Sequence, residues 1–361
     1  MTVILPGHEG EGGESPFLES MRSSMYGGAI GDALGFPHEF SRETDGGQEN
    51  VLSLRQGMSV SDDTQLSCAV ADATARVSAK ARDGGVSAQE IARLFKHEFI
   101  AWRRDSETPD GAPGRTCLTA TSRLAEGVPL PEATQWGSKG NGAIMRSHPV
   151  GFLEAGVPDS RLRARVALIS GALTHSHPSS VVACLVWVEV ISAVARGTDT
   201  SRLTPVAEAV LDSCLHGWRG ELLAQWSEYQ RPVDDDAEGA EVNNLIGDPR
   251  KWAEYGVKEC REALERSVVL LEDYLGDDPC ETFGDGWIAP EALALAMSMA
   301  SFYSGDPWAG TERTARSRGD SDTIGSMVGS LMGASVDVAY WDDLPDRIPP
   351  RWSGKIRTIQ M

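Results

Sequence analysis

The chain has 361 residues, with 53 acidic against 33 basic side chains and a formal net charge of −20. That balance argues against non-specific nucleic-acid binding and against docking on an anionic membrane, though a nucleotide could still sit in a local pocket. Six cysteines, at 68, 117, 184, 214, 260 and 280, form no CxxC pair and no zinc spacing, so they read as reduced, small core residues.

Residues 1–15 are rich in Gly and Glu without periodicity, and a disordered leader is expected there. They hold no basic segment followed by an apolar run, so no secretory signal is expected, and a cytoplasmic location follows. From 17 to 34, apolar and small residues recur at helical spacing, with Gly27, Gly28 and Gly31 among them and Gly35 next in line. No strand precedes these glycines and their spacing does not fit GxGxxG, so close helix–helix packing is expected rather than dinucleotide binding. Asp32 lies within that small-residue helix, where a carboxylate needs partners. Pro37-His38-Glu39-Phe40 ends the helix, and Glu39 is either a solvated loop charge or a group that reaches a nearby site. Residues 41–60 read as a polar loop.

Ser61-Asp62-Asp63-Thr64 opens an apolar-periodic stretch, Leu66, Ala69, Val70 and Ala73. Asp320-Ser321-Asp322-Thr323 has the same grammar ahead of Ile324, Met327, Val328 and Leu331. Either cluster alone is an ordinary helix cap, worth about 0.3–1 kcal/mol through the macrodipole. Four carboxylates brought into one pocket would instead repel one another unless a cation neutralised them. Hard oxygen donors of this kind suit Mg²⁺, Mn²⁺ or Ca²⁺. An EF-hand reading of the second cluster fails, because Ile324 and Leu331 stand where ligands are required. Length alone favours about two domains, but a site closed by both ends of the chain argues for one continuous core.

Between the clusters, helices are expected at 62–81, 87–103, 116–126, 160–173, 179–196, 202–228, 251–275 and 288–304. The apolar run 181–195 is interrupted by Glu189 and too short to span a bilayer, so it reads as a buried helix. Loop 136–143 is glycine-rich without P-loop spacing; it is an ordinary turn or a backbone cradle for a phosphate. Thr174-His175-Ser176-His177-Pro178 places two histidines at a helix break, where a ligand contact or a metal site is also open. Residues 231–250, with Asp234, Asp235, Asp236 and Glu238, read as an acidic solvated loop. The proline-rich tail, 342–361, is expected to pack over the surface.

Taken together, Gly31-Asp32-Ala33-Leu34-Gly35 with Glu39, then Ser61-Asp62-Asp63-Thr64, Gly140-Asn141-Gly142-Ala143-Ile144-Met145-Arg146, Leu173-Thr174-His175 and Gly319-Asp320-Ser321-Asp322-Thr323 resemble the ADP-ribosylglycohydrolase family. The motifs follow the family's order across about residues 20–340. The resemblance implies an all-α, compact single domain over 16–361 with a dinuclear Mg²⁺ or Mn²⁺ site. It implies that Ser61, Asp62, Asp63, Asp320, Asp322 and Thr323 are metal ligands, Ser61 keeping the hydroxyl that many relatives take from Thr. Glu39 falls where some relatives carry a mobile glutamate near the scissile bond, so Glu39, Asp62 and Asp63 are the candidate catalytic carboxylates. Ser138, Gly140, Asn141 and Gly142 match the loop that holds ADP-ribose, and His175 matches a ligand-contacting histidine. Asp110, in Asp110-Gly111-Ala112-Pro113-Gly114, matches a loop of arginine-directed relatives, which slightly favours arginine-linked over serine-linked ADP-ribose or a small metabolite. The expected partner is therefore ADP-ribose or an ADP-ribosylated protein, met by a monomer. A non-catalytic binding or structural protein and a metal-dependent phosphoesterase are the rival readings.

Overall fold

The computed structural model describes residues 16–39, 59–153, 160–233 and 237–360. The expected leader, most of the 41–60 loop and the run Asp234–Asp236 lie outside the described residues. Sixteen helices build the described chain, with no strand among those residues and only two isolated backbone bridges. They are α1 (Pro16–Gly35), α2 (Asp62–Arg82), α3 (Ala88–Arg104), α4 (Arg115–Ala125), α5 (Leu130–Ala133) and α6 (Ser160–Ala172). After these come α7 (Pro178–Ala195), α8 (Thr204–His216), α9 (Trp218–Ser227), α10 (Ala237–Asn243) and α11 (Pro249–Leu271). The chain closes with α12 (Pro279–Phe283), α13 (Ala289–Phe302), α14 (Pro307–Ala315), α15 (Ser321–Gly333) and α16 (Pro350–Thr358).

The most intimate pairing joins α1 to α15, opposite ends of the chain. They run antiparallel, and glycines set the distance. A Cβ on Gly27 would collide with the Gly329 carbonyl, one on Gly31 with that of Gly325, and one on Gly35 with that of Ser321. Backbones can approach this closely only where side chains are missing. Hydroxyls tie the seam: Ser24 Oγ donates to the Ser330 carbonyl at 2.8 Å, and Ser321 Oγ to the Gly35 carbonyl at 2.9 Å. The glycines of 27–35 thus serve packing, as their spacing predicts.

Helix α7 is the core rod. It is apolar and long enough to cross a membrane, but 89% of it is buried inside the protein. Glu189, which interrupts it, pairs with Arg163 on α6 at 2.7 Å and Arg219 on α9 at 3.0 Å. A buried carboxylate survives there because two guanidiniums meet it. All six cysteines are buried and unbridged.

Three expectations need correction. The helix predicted over 202–228 is two helices, α8 and α9, because Gly217 takes an extended conformation between them (φ −129°). The acidic stretch 231–250 contains the helix α10 and the start of α11 rather than loop throughout. The tail does more than cover the surface, since Ile348, Trp352, Ile356 and Ile359 are buried in the core. Arg22 on α1 also donates to the Ile359 carbonyl at 3.1 Å.

Candidate active site

The α1–α15 seam brings the C-terminal end of α1 beside the N-terminus of α15, and α2 begins at the same place. Ser61 caps α2, its hydroxyl accepting from the Asp63 N–H at 3.1 Å. That leaves Asp62 and Asp63 in the first turn of α2, while Asp320 stands at the N-cap position of α15 without a side-chain capping bond and Asp322 sits in its first turn. The two motifs touch: Thr323 Oγ1 donates to Asp63 Oδ2 at 3.1 Å, across 260 residues of sequence. Glu39, Asp320 and Asp322 place carboxylate oxygens within 4.8 Å of one another. Ser61, Asp62, Asp63, Asp320, Asp322 and Thr323 are all buried, and Glu39 is half-buried at the edge.

The cluster is electrostatically unbalanced. Burial, then the charges of Asp322 and Asp32, push the Asp62 carboxyl up to about 8. Burial, then Asp322 and Asp62, push Glu39 to about 8. Desolvation also raises Asp320 to about 6, and it lifts Asp63 and Asp322 well above the carboxylate range. Asp63 Oδ1, Asp322 Oδ1 and Glu39 Oε2 are buried without a hydrogen-bond partner among the described residues. Orphaned buried carboxylate oxygens are rare and costly, and a set of hard oxygen donors is what a divalent cation requires. The residues therefore fit a divalent metal.

Asp32 is the positioning group that the sequence flagged without a role. It is fully buried and accepts from the Ser61 N–H at 2.9 Å, from the Thr64 N–H at 3.1 Å and from the Thr64 hydroxyl. It therefore orients the first turn of α2, and with it the two aspartates, from a neighbouring helix.

The glycine-rich loop closes the next wall. Asn141 spends both amide protons on protein, on Asp320 Oδ2 at 2.6 Å and on the Gly286 carbonyl at 2.8 Å, so only its oxygen is left for a ligand. Gly140 and Gly142 face the ring of His175: a Cβ on either would stand 3.3 Å or less from it. The neighbouring His177 has a structural task instead, its Nδ1 accepting from the Ser179 N–H at 3.2 Å to cap α7. Ser138 lies farther out, sharing a hydrogen bond of 3.0 Å with Thr116 on α4. Beyond them runs a groove of about 570 Å³ lined by Arg123, Gln135, Trp136, Arg231 and Val233. Asp110 is exposed, and the adjoining Gly111 packs on Asp62 so closely that a Cβ would lie 2.9 Å from its backbone nitrogen. The structure thus gathers the acidic residues, the glycine-rich loop and His175, with Ser138 farther out and Asp110 exposed next to Gly111.

Motif reading also gave no role to Arg146. It is fully buried, stacks over Phe99 at 4.7 Å and donates to the Gly142 carbonyl. A cation directly after a glycine-rich loop was the available signal.

The family model described as ADP-ribosylglycohydrolase matches residues 14–360. The chain belongs to the ADP-ribosylglycohydrolase family, and membership indicates a glycohydrolase acting on ADP-ribose linkages. The ADP-ribosyl-[dinitrogen reductase] glycohydrolase of Rhodospirillum rubrum is 25% identical over 345 residues, spanning 92% of this chain and 88% of that protein. Uncharacterized protein YegU of Escherichia coli (strain K12) is 24% identical over 331 residues, spanning 88% of this chain and 87% of that one. A solved structure described as an ADP-ribosylglycohydrolase-related protein complex matches with a TM-score of 0.58 at 19% identity, over 96% of this chain and 99% of its own. At that identity the likeness bears on the fold alone.

Proposed function

We propose that this protein is a divalent-metal-dependent hydrolase that removes ADP-ribose from an acceptor, with arginine-linked ADP-ribose favoured. The observation that carries the reading is the junction of two buried acidic motifs, with three carboxylate oxygens that find no hydrogen-bond partner among the described residues. Ser61, Asp62, Asp63, Asp320, Asp322 and Thr323 would hold two Mg²⁺ or Mn²⁺ ions. When bound, such ions supply Lewis acidity toward the ribose hydroxyls and lower the pKa of a water.

The remaining chemistry belongs to the chain. Cleavage at C1 of the ribose passes through an oxocarbenium-like state that a cluster of carboxylates stabilises. Glu39, Asp62 or Asp63 takes the proton of the attacking water. Gly140 and Gly142, with His175, border the ligand's diphosphate and ribose. The groove that begins at Ser138 has the volume expected of a small-molecule site and gives room for the rest of ADP-ribose. Asp110, exposed next to the Gly111 that packs on Asp62, offers a carboxylate to a guanidinium leaving group. The Rhodospirillum relative's name describes an ADP-ribosylated protein as the substrate, which supports a protein acceptor here.

The test is mass spectrometry of ADP-ribosylated arginine and serine peptides after incubation with Mg²⁺, Mn²⁺ or EDTA. The expected result is loss of the ADP-ribose mass from the arginine peptide, abolished by EDTA. Loss from the serine peptide alone would keep the hydrolase and move the linkage. No loss from either peptide, with ADP-ribose still bound in calorimetry, would make the protein a non-catalytic reader.

A further inference from the structure

We propose that Arg146 and Thr174 are positioning residues that lock the tautomer of His175, so that its ring offers an Nε2–H donor to the ligand and cannot serve as a base there. The inference rests on the reading that His175 and the glycine-rich loop hold ADP-ribose.

The argument is a proton count. A guanidinium only donates. Arg146 Nη2 donates to Thr174 Oγ1 at 2.7 Å and to the Ser170 carbonyl at 3.3 Å, while Nη1 donates to the Gly142 carbonyl and to Cys117 Sγ at 3.4 Å. Having accepted from Arg146, the Thr174 hydroxyl has one proton to give. Two strong acceptors are in reach, His175 Nδ1 at 2.8 Å and the Gly171 carbonyl at 3.5 Å, beside the weakly accepting Cys117 sulfur. The shorter distance is an ordinary hydrogen bond, and the longer lies at the limit of one. With Nδ1 accepting, a neutral imidazole must carry its proton on Nε2.

The surroundings keep the ring neutral and hold it in place. His175 is buried, and burial first, then the Arg146 charge, hold its pKa well below the histidine range. Backbone bonds pin the segment: the Gln135 N–H donates to the Thr174 carbonyl and the Ser176 N–H to the Gln135 carbonyl, both at 3.0 Å. Nε2 then stands 3.3 Å from where a Cβ on Gly140 would be and 3.4 Å from that of Gly142. One guanidinium thus holds both partners, the loop through Gly142 and the ring through Thr174. The ligand group that fits is an acceptor oxygen, of which a phosphate oxygen is the strongest kind.

The experiment is a two-bond ¹H–¹⁵N correlation spectrum of ¹⁵N-histidine-labelled full-length protein at pH 7, with His175 assigned through the signals lost in His175→Gln. The expected spectrum shows a neutral ring protonated on Nε2. In Thr174→Val the ring should shift toward the Nδ1–H form, and calorimetric affinity for ADP-ribose should fall about tenfold, the worth of one hydrogen bond. Thr174→Ser should restore both. An Nδ1–H ring in the wild type, with Thr174 donating to Gly171, would overturn the proposal, and the wild-type spectrum decides this even if Thr174→Val fails to fold. Wild-type affinity in a folded Thr174→Val would also overturn it. An Nε2–H ring in a wild type that does not bind ADP-ribose would uphold the lock and overturn the ligand reading instead.

Discussion

Asp62 and Asp63 stand where backbone N–H groups favour negative charge, yet a helix N-terminus contributes only about 0.3–1 kcal/mol. One pKa unit is about 1.4 kcal/mol, so that term cannot offset a carboxyl carried from 3.8 to about 8 by burial and by Asp322 and Asp32. Capping alone therefore does not explain the cluster, and the same residues that weaken the metal-free protein are the ones expected to bind a cation. Asp62→Ala tests this. Turnover should be abolished, while the melting temperature in EDTA should not fall, since a like charge leaves a crowded site. Added Mg²⁺ should raise the melting temperature of the wild type more than that of the variant. Near-normal turnover by Asp62→Ala at saturating Mg²⁺ would sink the metal reading. The aspartates were legible as a pair of motifs. Asp32 was legible only as a carboxylate in need of partners, because those partners are two backbone N–H groups and a hydroxyl on another helix.

The α1–α15 seam carries the site, and its glycines are not equivalent. A methyl at Gly31 would drive into the Gly325 backbone, which cannot rotate away. A methyl at Gly28 would meet Ser330 Cβ at 3.4 Å, an ordinary contact. Gly31→Ala should therefore destabilise by about 1–3 kcal/mol or more and reduce activity by parting the two acidic motifs. Gly28→Ala should be neutral, or stabilising by up to about 1 kcal/mol through helix propensity. Urea unfolding of both variants decides the matter, and equal losses would mean that the seam is looser than drawn. Small-residue spacing announced close packing for α1, but nothing in the α1 sequence names α15 as its partner. The break between α8 and α9 was missed for a related reason. Apolar periodicity runs on across Gly217, and only the packing of each segment shows where the direction changes.

Closing the fold from both ends buries polar groups throughout, and a buried histidine held below its ordinary pKa contributes stability that acid removes, opposite in sign to the raised carboxyls of the acidic cluster. Burial holds His148 at about 3, well below the ordinary histidine value of 6.5. A depressed histidine pKa contributes stability that is present above 6.5 and lost as pH falls through 6.5 toward 3, because the unfolded chain takes up the proton first. Between pH 6.5 and 5 this amounts to about 2 kcal/mol for His148. Urea titrations at the two pH values should show His148→Leu losing less stability than the wild type by about that amount. Equal losses would show that His148 takes up its proton in the fold.

What the sequence determined by itself is what is local or directly spelled. Helical periodicity, the helix caps, the two acidic motifs and their order, the glycine-rich loop and the core character of 181–195 all depend on neighbours a few residues away. Tertiary structure decided the pairings: Thr323 on Asp63, Asn141 committed to Asp320, Asp32 beneath the start of α2, Arg146 turned inward to Thr174, and Glu189 between two arginines. Such partners are chosen by burial, since a polar group removed from water must find a mate wherever packing brings one. The spacing of residues along the chain does not encode that mate.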